Sequence, residues 1–172
     1  MNMTKLKTEV VANVIAAFII SFIFLIISDF VFSPPNLNGK WEMVLKVKDS
    51  NYSSYKGLLL KYDVFLIQNG NHVTGTAEKI GEFDKGIFKK YSVPIRSEIQ
   101  GTITNKYFQK DVLNIHFLEF GERRTITSYF ELTRFNDEYM AGEFSSSAAN
   151  SIGDSEWLRS ISDINEVMFN LN

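Results

Sequence analysis

The sequence predicts an all-β fold, an eight-stranded antiparallel up-and-down barrel, preceded by one N-terminal transmembrane helix. Residues 10–28 carry no charge, and a helix of that length crosses a hydrocarbon core of ~30 Å. After Pro34 and Pro35 the chain changes to short alternating segments separated by turn residues. No later segment has the pattern of a helix that would cover a sheet face. Closing the strands on themselves is then the simplest way to remove exposed edges.

The N-terminal segment is interpreted as a retained anchor. Lys5 and Lys7 precede the apolar run, as they would in a cleaved signal peptide. The run, however, is longer than the usual apolar core of roughly 7–15 residues, and no A-x-A site follows it. The two prolines end the helix because they lack an N–H and restrict the residue before them. The predicted organisation is an anchor at residues 1–32, a linker at 33–37, a ligand-binding barrel at 38–160 and a C-terminal tail at 161–172.

Three strands are predicted in the first half of the barrel, at residues 38–49, 58–68 and 72–80. The first alternates apolar and charged residues, as a strand with one buried face does. Asn69-Gly70 separates the second from the third. This dipeptide is a strong hairpin signal because a type I′ turn requires positive φ at both central positions.

Five more strands are predicted at residues 95–103, 112–120, 124–134, 139–145 and 155–159. An irregular connection rich in Lys and Gly is expected at 83–91, and a polar Ser/Ala/Asn loop is expected before the last strand. Asn136-Asp137 marks a further turn. The tail is expected to be a short helix or frayed.

Composition excludes several classes of function. The chain has no cysteine, so disulfides, thiolate metal sites and cysteine nucleophiles are excluded. Its 18 Lys+Arg and 20 Asp+Glu nearly cancel, so no broad positive field is available to bind polymer nucleic acid. The two histidines, His72 and His116, are isolated in the sequence and form neither a catalytic triad motif nor a zinc motif. We therefore expect no enzyme, no metal and no cofactor.

Two tryptophan motifs are the most specific signals in the barrel region. Gly39-x-Trp41 begins the first strand, and Trp157-Leu158-Arg159 ends the last. The pair resembles barrels of the lipocalin type, in which a G-x-W tryptophan closes one end and an arginine lies across its ring. The resemblance implies that Arg159 makes a cation–π contact with Trp41. The alternative is that Trp41 is an ordinary core residue, and both interpretations place it inside.

The candidate ligand site is expected inside the barrel, because small eight-stranded barrels either fill with side chains or hold one small ligand. Taking the even-numbered face of the middle strands as inward places five polar side chains on the wall. They are Tyr62, Asn114, His116, Arg124 and Ser128. A register error of one residue would turn a whole set outward. For His116 the competing interpretation is a core histidine that hydrogen-bonds a neighbour.

Small residues recur at a spacing of four in the apolar segment. Ala12 with Ala16, and Ala17 with Ser21, lie on helix stripes that let two membrane helices approach closely, and Asn13 can hydrogen-bond across such a contact. Self-association of the helix therefore competes with a passive anchor.

Three longer segments carry a further resemblance: NLNGKW after the apolar segment, YDVFLIQNGNHVTGTAEKIGE, and MAGEFSSSAANSIGDSEWLR. Together they resemble the membrane-anchored β-barrel effectors of bacterial CBASS anti-phage systems, which act beside a cyclic-oligonucleotide synthase. The resemblance covers essentially the whole barrel region. One departure is that the family typically carries two spans, whereas this chain has room for one.

The resemblance implies a non-enzymatic effector of the cell inner membrane, single-pass, with a cytoplasmic barrel. Its partners would be a cyclic di- or trinucleotide, the lipid bilayer and further copies of itself on activation. Binding would drive assembly of the membrane segments and disrupt the membrane. A ligand with phosphates and bases needs cations and a stacking face, which Arg124 and Tyr62 would supply.

Two other functions remain open from the sequence. One is a membrane-anchored lipocalin-like protein that faces the periplasm and binds a small ligand. The other is a structural, partner-binding domain of a membrane complex.

Overall fold

The computed structural model describes the backbone of residues 3–31, 35–84, 86–105, 109–121 and 123–160, and within the N-terminal helix it describes the side chains of residues 11–25. The chain divides into two compact units, Met1–Ser33 and Pro34–Asn172. The predicted tail at 161–172 lies outside the described residues.

The first unit contains one helix, α1 (Met3–Val31). Its sequence has no internal proline or glycine, so nothing interrupts the backbone hydrogen bonds from one turn to the next. Among the described residues, no helix is both long and apolar enough to cross a membrane.

The second unit is a closed antiparallel barrel, as the sequence predicts. Each strand pairs with the next along the chain, and the last pairs with the first. The strands are β1 (Gly39–Asp49), β2 (Leu59–Asn69), β3 (His72–Asp84), β4 (Ile87–Thr104), β5 (Val112–Phe120), β6 (Thr125–Arg134), β7 (Tyr139–Ser146) and β8 (Ser151–Arg159). Closure leaves the barrel without an open sheet edge along the part where all eight strands pair.

The interior is filled by side chains that alternate along each strand. In β1 the odd-numbered residues, from Trp41 to Val47, are buried while their neighbours mostly point outward. Aromatic rings occupy the middle: the Phe117 ring lies 5.6 Å from Phe130, which lies 5.8 Å from Phe144 and 6.1 Å from Trp157. The barrel is therefore a packed core rather than a container for a large ligand.

One end of the barrel is closed by Trp41, which we call the plug. Its indole N–H donates to the Leu37 carbonyl at 3.0 Å, and the Arg159 guanidinium lies 4.6 Å from the ring centroid. The same guanidinium donates to the carbonyls of Asn36, Asn38 and Asp137. The predicted contact between Arg159 and Trp41 is confirmed, and the arginine also ties the segment before β1 to the end of β8.

The connection at residues 83–91 was predicted to be irregular, and this prediction is wrong. β3 continues to Asp84 and β4 starts at Ile87, so the two form a long hairpin, with Phe83 opposite Phe88. Gly86 has φ of +84°, which suits a tight turn. The first part of β4 pairs only with β3, because β5 ends near Ser97. Without a buried face, this segment lacks the apolar alternation by which the other strands are recognised.

Two turns also differ from expectation. The hairpin after β2 forms as predicted, but of its two central residues only Gly70 has positive φ, as in type II′ rather than type I′ turns. β8 begins at Ser151 rather than at residue 155. The preceding loop is short because Ala149 and Asn150 both adopt left-handed φ values, and the Ser151 N–H donates to the Ala148 carbonyl.

Candidate functional site at the open end of the barrel

The end opposite the plug, which we call the mouth, contains the polar part of the barrel interior. The β1–β2, β3–β4, β5–β6 and β7–β8 connections all meet there. A cavity of about 60 Å³ lies just inside. Its lining includes the polar side chains Tyr55, Tyr62, Lys79, Glu119, Ser128, Ser146 and Ser151.

A buried carboxylate organises this cavity. The Tyr62 hydroxyl donates to Glu119 Oε2 at 2.8 Å, and the Lys79 ammonium donates to Glu119 Oε1 at 3.3 Å. Only 5% of the Glu119 side chain and 13% of the Lys79 side chain are exposed. An ion pair at this depth gains less from attraction than it loses in hydration unless further hydrogen bonds support it. The Tyr62 hydroxyl provides one such bond.

The environment also perturbs two tyrosines. Burial, reinforced by the Glu119 carboxylate, raises the pKa of Tyr62 well above its ordinary value. Partial burial and a hydrogen bond to Glu82 raise the pKa of Tyr91 as well, and the Tyr91 hydroxyl donates to Glu82 at 2.8 Å. Both hydroxyls therefore remain protonated donors through the physiological range.

Serine hydroxyls surround the ion pair. Ser128 donates to Ser146 at 2.8 Å, and Ser151 donates to the Ala148 carbonyl at 2.6 Å. Ser97 lies directly opposite Glu119 in the β4–β5 ladder. It is 2% exposed, and its hydroxyl has no partner among the described residues. An unsatisfied buried hydroxyl costs about 1–3 kcal/mol, although Ser97 itself is not among the residues that line the cavity.

The loop between β1 and β2 borders the cavity and has no buried residues between positions 51 and 57. Residues 51–57 are all exposed, and they include the 3₁₀ turn Ser53–Tyr55. The Tyr55 ring lines the cavity and packs edge-on against Tyr52, with ring centroids 6.0 Å apart. The loop is tied to the barrel near its two ends, where the Asn51 N–H donates to the Ala149 carbonyl and the Gly57 N–H donates to the Val47 carbonyl.

Two arginines stand at the rim. Arg123 and Arg124 occupy the turn between β5 and β6, and both are exposed. Neither side chain has a hydrogen-bond or ion-pair partner in the part of the chain that the structure describes. Unpaired guanidinium groups are well suited to bind phosphate or carboxylate in a bidentate manner.

The five predicted site residues do not come together. Tyr62 and Ser128 face the cavity, as predicted. Arg124 precedes β6 and is exposed at the rim, so its predicted inward position is wrong, although it lies at the same end of the barrel.

The inward positions predicted for Asn114 and His116 are also wrong. In β5 the odd-numbered residues are buried, from Leu113 to Glu119, while Asn114 is exposed and His116 is half-buried. Ladder pairing explains the difference, because inward Ser128 of β6 lies opposite Phe117, which must therefore also point inward. The alternation Leu113, Ile115, Phe117 in the sequence would have indicated the correct face.

Asn114 and His116 instead line a groove of about 930 Å³ on the outer surface. There the His116 ring stacks on Tyr129, with centroids 5.0 Å apart and an interplanar angle of 29°. The two cross-strand neighbours Glu131 and Glu143 give this groove acidic as well as aromatic character. Anionic ligands are therefore less favoured there than at the mouth.

Glu119 and Lys79 are the functional candidates that sequence reasoning missed. Both are charged residues in strands, a pattern normally explained by a solvated face. For Glu119 a signal did exist, since it continues the buried odd-numbered series of β5. Among the described side chains, no group of three or more His, Asp or Glu is placed to hold a metal ion.

Replacing Tyr62 by phenylalanine is expected to reduce the alkaline sensitivity of the fold. Above a pH of roughly 10 the unfolded tyrosine ionises, while folded Tyr62 keeps its proton because its pKa is raised. The unfolded state then binds fewer protons, so stability falls as the pH rises. At pH 7 the variant should be less stable by about 1–2 kcal/mol, because Glu119 loses a hydrogen bond.

Urea unfolding followed by circular dichroism at pH 7, 9 and 11 measures the difference in the free energy of unfolding between the wild type and the variant. This difference should become smaller as the pH rises. The control is Tyr52→Phe at an exposed tyrosine, which should follow the wild type. If the free energies of unfolding of Tyr62→Phe and the wild type differed by the same amount at pH 7, 9 and 11, the raised pKa of Tyr62 would be contradicted.

Comparison with known proteins finds a similar fold among solved structures. No protein-family model and no curated protein matches the chain. Two solved structures are similar: a redesigned β-barrel, mFAP1, bound to DFHBI, with a TM-score of 0.50, and EF1p2_mFAP2b bound to DFHBI, with a TM-score of 0.51. Each is 12% identical, over 72% of this chain and 94% of the other. At this identity the similarity shows the barrel fold alone.

Proposed function

We propose that this chain is an effector of a bacterial anti-phage defence system, in which the barrel mouth binds a cyclic oligonucleotide and the anchored helices then assemble and disrupt the inner membrane. The proposal joins the resemblance of the three barrel segments to CBASS effectors with the chemistry of the mouth. A cyclic oligonucleotide presents phosphates, bases and polar base edges. It is a non-enzymatic role, since the ligand is bound rather than converted.

The observation that carries the proposal is the combination of groups at the mouth. Arg123 and Arg124 are unpaired cations at the rim, which suit phosphates. Tyr55 offers an aromatic ring at the edge of the cavity, and base–aromatic stacking is worth about 1–3 kcal/mol per base. Tyr62, Glu119 and Lys79 supply buried polar contacts.

Cavity size determines how such a ligand would bind. The 60 Å³ cavity is far below the roughly 300–1,000 Å³ of ordinary ligand pockets. A cyclic oligonucleotide would therefore rest on the rim and insert only a base edge. The small interior argues against the lipocalin-like alternative, which needs an enclosed pocket of its own.

The membrane part of the proposal rests on the uncharged residues 10–28 within α1. The small-residue stripe from Ala12 to Ser21 would allow close helix approach. Ligand binding shifts the population toward an assembled state only if the ligand binds that state more tightly. The barrel would then lie in the cytoplasm, where a cyclic nucleotide synthase acts.

The test is thermal unfolding of the full chain, recovered from the membrane fraction in detergent micelles, with a panel of cyclic di- and trinucleotides. A ligand that binds only the folded state adds RT ln(1 + [L]/Kd), or about 2.7 kcal/mol at 100 times Kd. At least one member should raise the melting temperature by several degrees. Arg124→Ala should reduce that shift by weakening the phosphate contact, with the melting temperature of the free protein unchanged.

The matched control is Lys40→Ala, which removes the same charge from an exposed position at the plug end. It should retain the full shift. If every cyclic nucleotide leaves the unfolding curve unchanged at millimolar concentration, or the chain is absent from the membrane fraction, the proposal fails.

A further inference from the structure

We infer that the buried Lys79–Glu119 pair recognises a guanine base, so that the cyclic oligonucleotide bound at the mouth contains guanine. This inference rests on the proposed function and narrows its ligand class. It is carried by the hydrogen-bonding groups that the pair presents to the cavity and by their burial.

The pair presents a donor followed by two acceptors. The Lys79 ammonium has three N–H donors, and one of them reaches Glu119 Oε1 at 3.3 Å. A carboxylate has about four lone-pair sites, and Lys79 and Tyr62 account for two on Glu119. The remaining capacity is therefore N–H on the lysine and one acceptor site on each carboxylate oxygen. Donor, acceptor, acceptor is also the order along the pairing edge of cytosine.

Guanine complements that order. Its O6 accepts a hydrogen bond, while N1–H and N2–H donate side by side, so O6 would receive from Lys79 and both N–H groups would reach Glu119. On the corresponding edge adenine presents N6–H2, which would oppose the Lys79 ammonium, and N1, which would oppose the carboxylate. Through its N7 and N6–H edge adenine makes only one hydrogen bond to Glu119, whereas guanine makes two. Uracil presents one N–H between two carbonyls, and one of these would also oppose a carboxylate oxygen. A buried acceptor left facing another acceptor is strongly disfavoured.

Burial makes the discrimination effective. Glu119 and Lys79 are mostly withdrawn from water, so a mismatched base cannot replace its lost hydrogen bonds with solvent. Replacing a buried ion pair by apolar residues is often neutral or stabilising, so stability alone does not account for this one.

The space fits a base edge. A water molecule occupies about 30 Å³, so the 60 Å³ cavity corresponds to about two waters and accommodates the few edge atoms of one base. The rest of the ring would lie outside, against Tyr55 in the exposed loop. Arg123 and Arg124 at the rim then meet the phosphates.

The experiment is calorimetric titration of the full chain in detergent micelles with cyclic di-GMP, cyclic di-AMP and cyclic di-UMP. Cyclic di-GMP should bind at least about tenfold more tightly than the other two, since one bidentate base contact discriminates by roughly that factor or more. Glu119→Gln replaces one acceptor by a donor. It should lower the affinity for cyclic di-GMP, because the guanine N2–H would meet the amide N–H, and leave that for cyclic di-AMP unchanged, because the amide oxygen beside Lys79 still accepts one adenine N6–H.

This loss, confined to the guanine ligand, separates recognition from a structural role. A purely structural defect in Glu119→Gln would weaken all ligands together, and its melting temperature without ligand reports that defect separately. Wild-type protein that binds cyclic di-AMP or cyclic di-UMP as tightly as cyclic di-GMP, or a variant with unchanged preference, overturns the inference and leaves the proposed function intact. Failure of all three nucleotides and of the wider panel overturns the proposed function and this inference with it.

Discussion

Replacing Trp41 by alanine is expected to lower the free energy of unfolding by about 3–5 kcal/mol, the range for truncating a large buried aromatic residue. Trp41 is 1% exposed and donates to the Leu37 carbonyl. Its loss also leaves the Arg159 guanidinium without the ring it covers. The plug end of the barrel would open to water.

The measurement is thermal unfolding of the full chain followed by the β-strand signal in circular dichroism, in which the melting temperature should fall by about 10 °C or more. Leu158→Ala is the control, because Leu158 lies close by on β8 but is 54% exposed. It should change stability by about 0.5 kcal/mol or less. A Trp41→Ala loss no larger than that of the control would mean that the plug does not stabilise the fold.

Glu119→Ala is expected to destabilise the barrel by about 3 kcal/mol, near the lower limit for breaking a buried pair. The substitution strands the Lys79 ammonium and the Tyr62 hydroxyl without their acceptor. We expect a loss of stability near the lower end of the range for buried ion pairs, because 13% of the Lys79 side chain is exposed and its ammonium can reach water.

The double variant Lys79→Met with Glu119→Leu is the informative comparison. It removes both charges together, so at least half of the loss should be recovered, with the unsatisfied Tyr62 hydroxyl accounting for the remainder. Urea unfolding of the wild type, Lys79→Met, Glu119→Leu and the double variant forms the cycle. A double variant as unstable as Glu119→Ala would show that the loss arises from packing rather than from an unpaired charge.

The fold was predictable because several of its strands, such as β1, β2 and β5, carry apolar alternation, and several strands are separated by recognisable turns. The closed barrel and the inward Trp41 follow from that pattern, whereas the Arg159 contact was implied by the resemblance of the two tryptophan motifs to lipocalin-type barrels. The β3–β4 hairpin was missed because residues 87–90 have no buried face, and a strand without one leaves no periodic signal. The start of β8 was misplaced because Ala149 adopts a left-handed φ, a conformation that its residue type does not indicate.

The site was less predictable, since it depends on register. Choosing the same numerical parity for all middle strands was correct for β2 and β6 but wrong for β5, and it moved Asn114 and His116 from the outside to the inside. Glu119 and Lys79 were not predicted as site residues because they were taken to point outward, although both point inward. A charged residue in a strand is normally assigned to the solvent-facing side, unless the residues two positions away are recognised as buried. Lys79 in β3 and Glu119 in β5 are also far apart in sequence, and they meet only in the folded barrel.

Both ends of the barrel sequence leave from the plug end. Trp41 pairs with Arg159 at the seam between the first and last strands, and Arg159 also holds Asn36 and Asn38. Whatever precedes Pro35 is thus attached a full strand length from the mouth. Under the proposed function, an effect of the ligand at the mouth would have to pass along the strands to reach this attachment. β1 is the covalent connection to that segment, and β8 reaches it through the hydrogen bonds that Arg159 donates to Asn36 and Asn38.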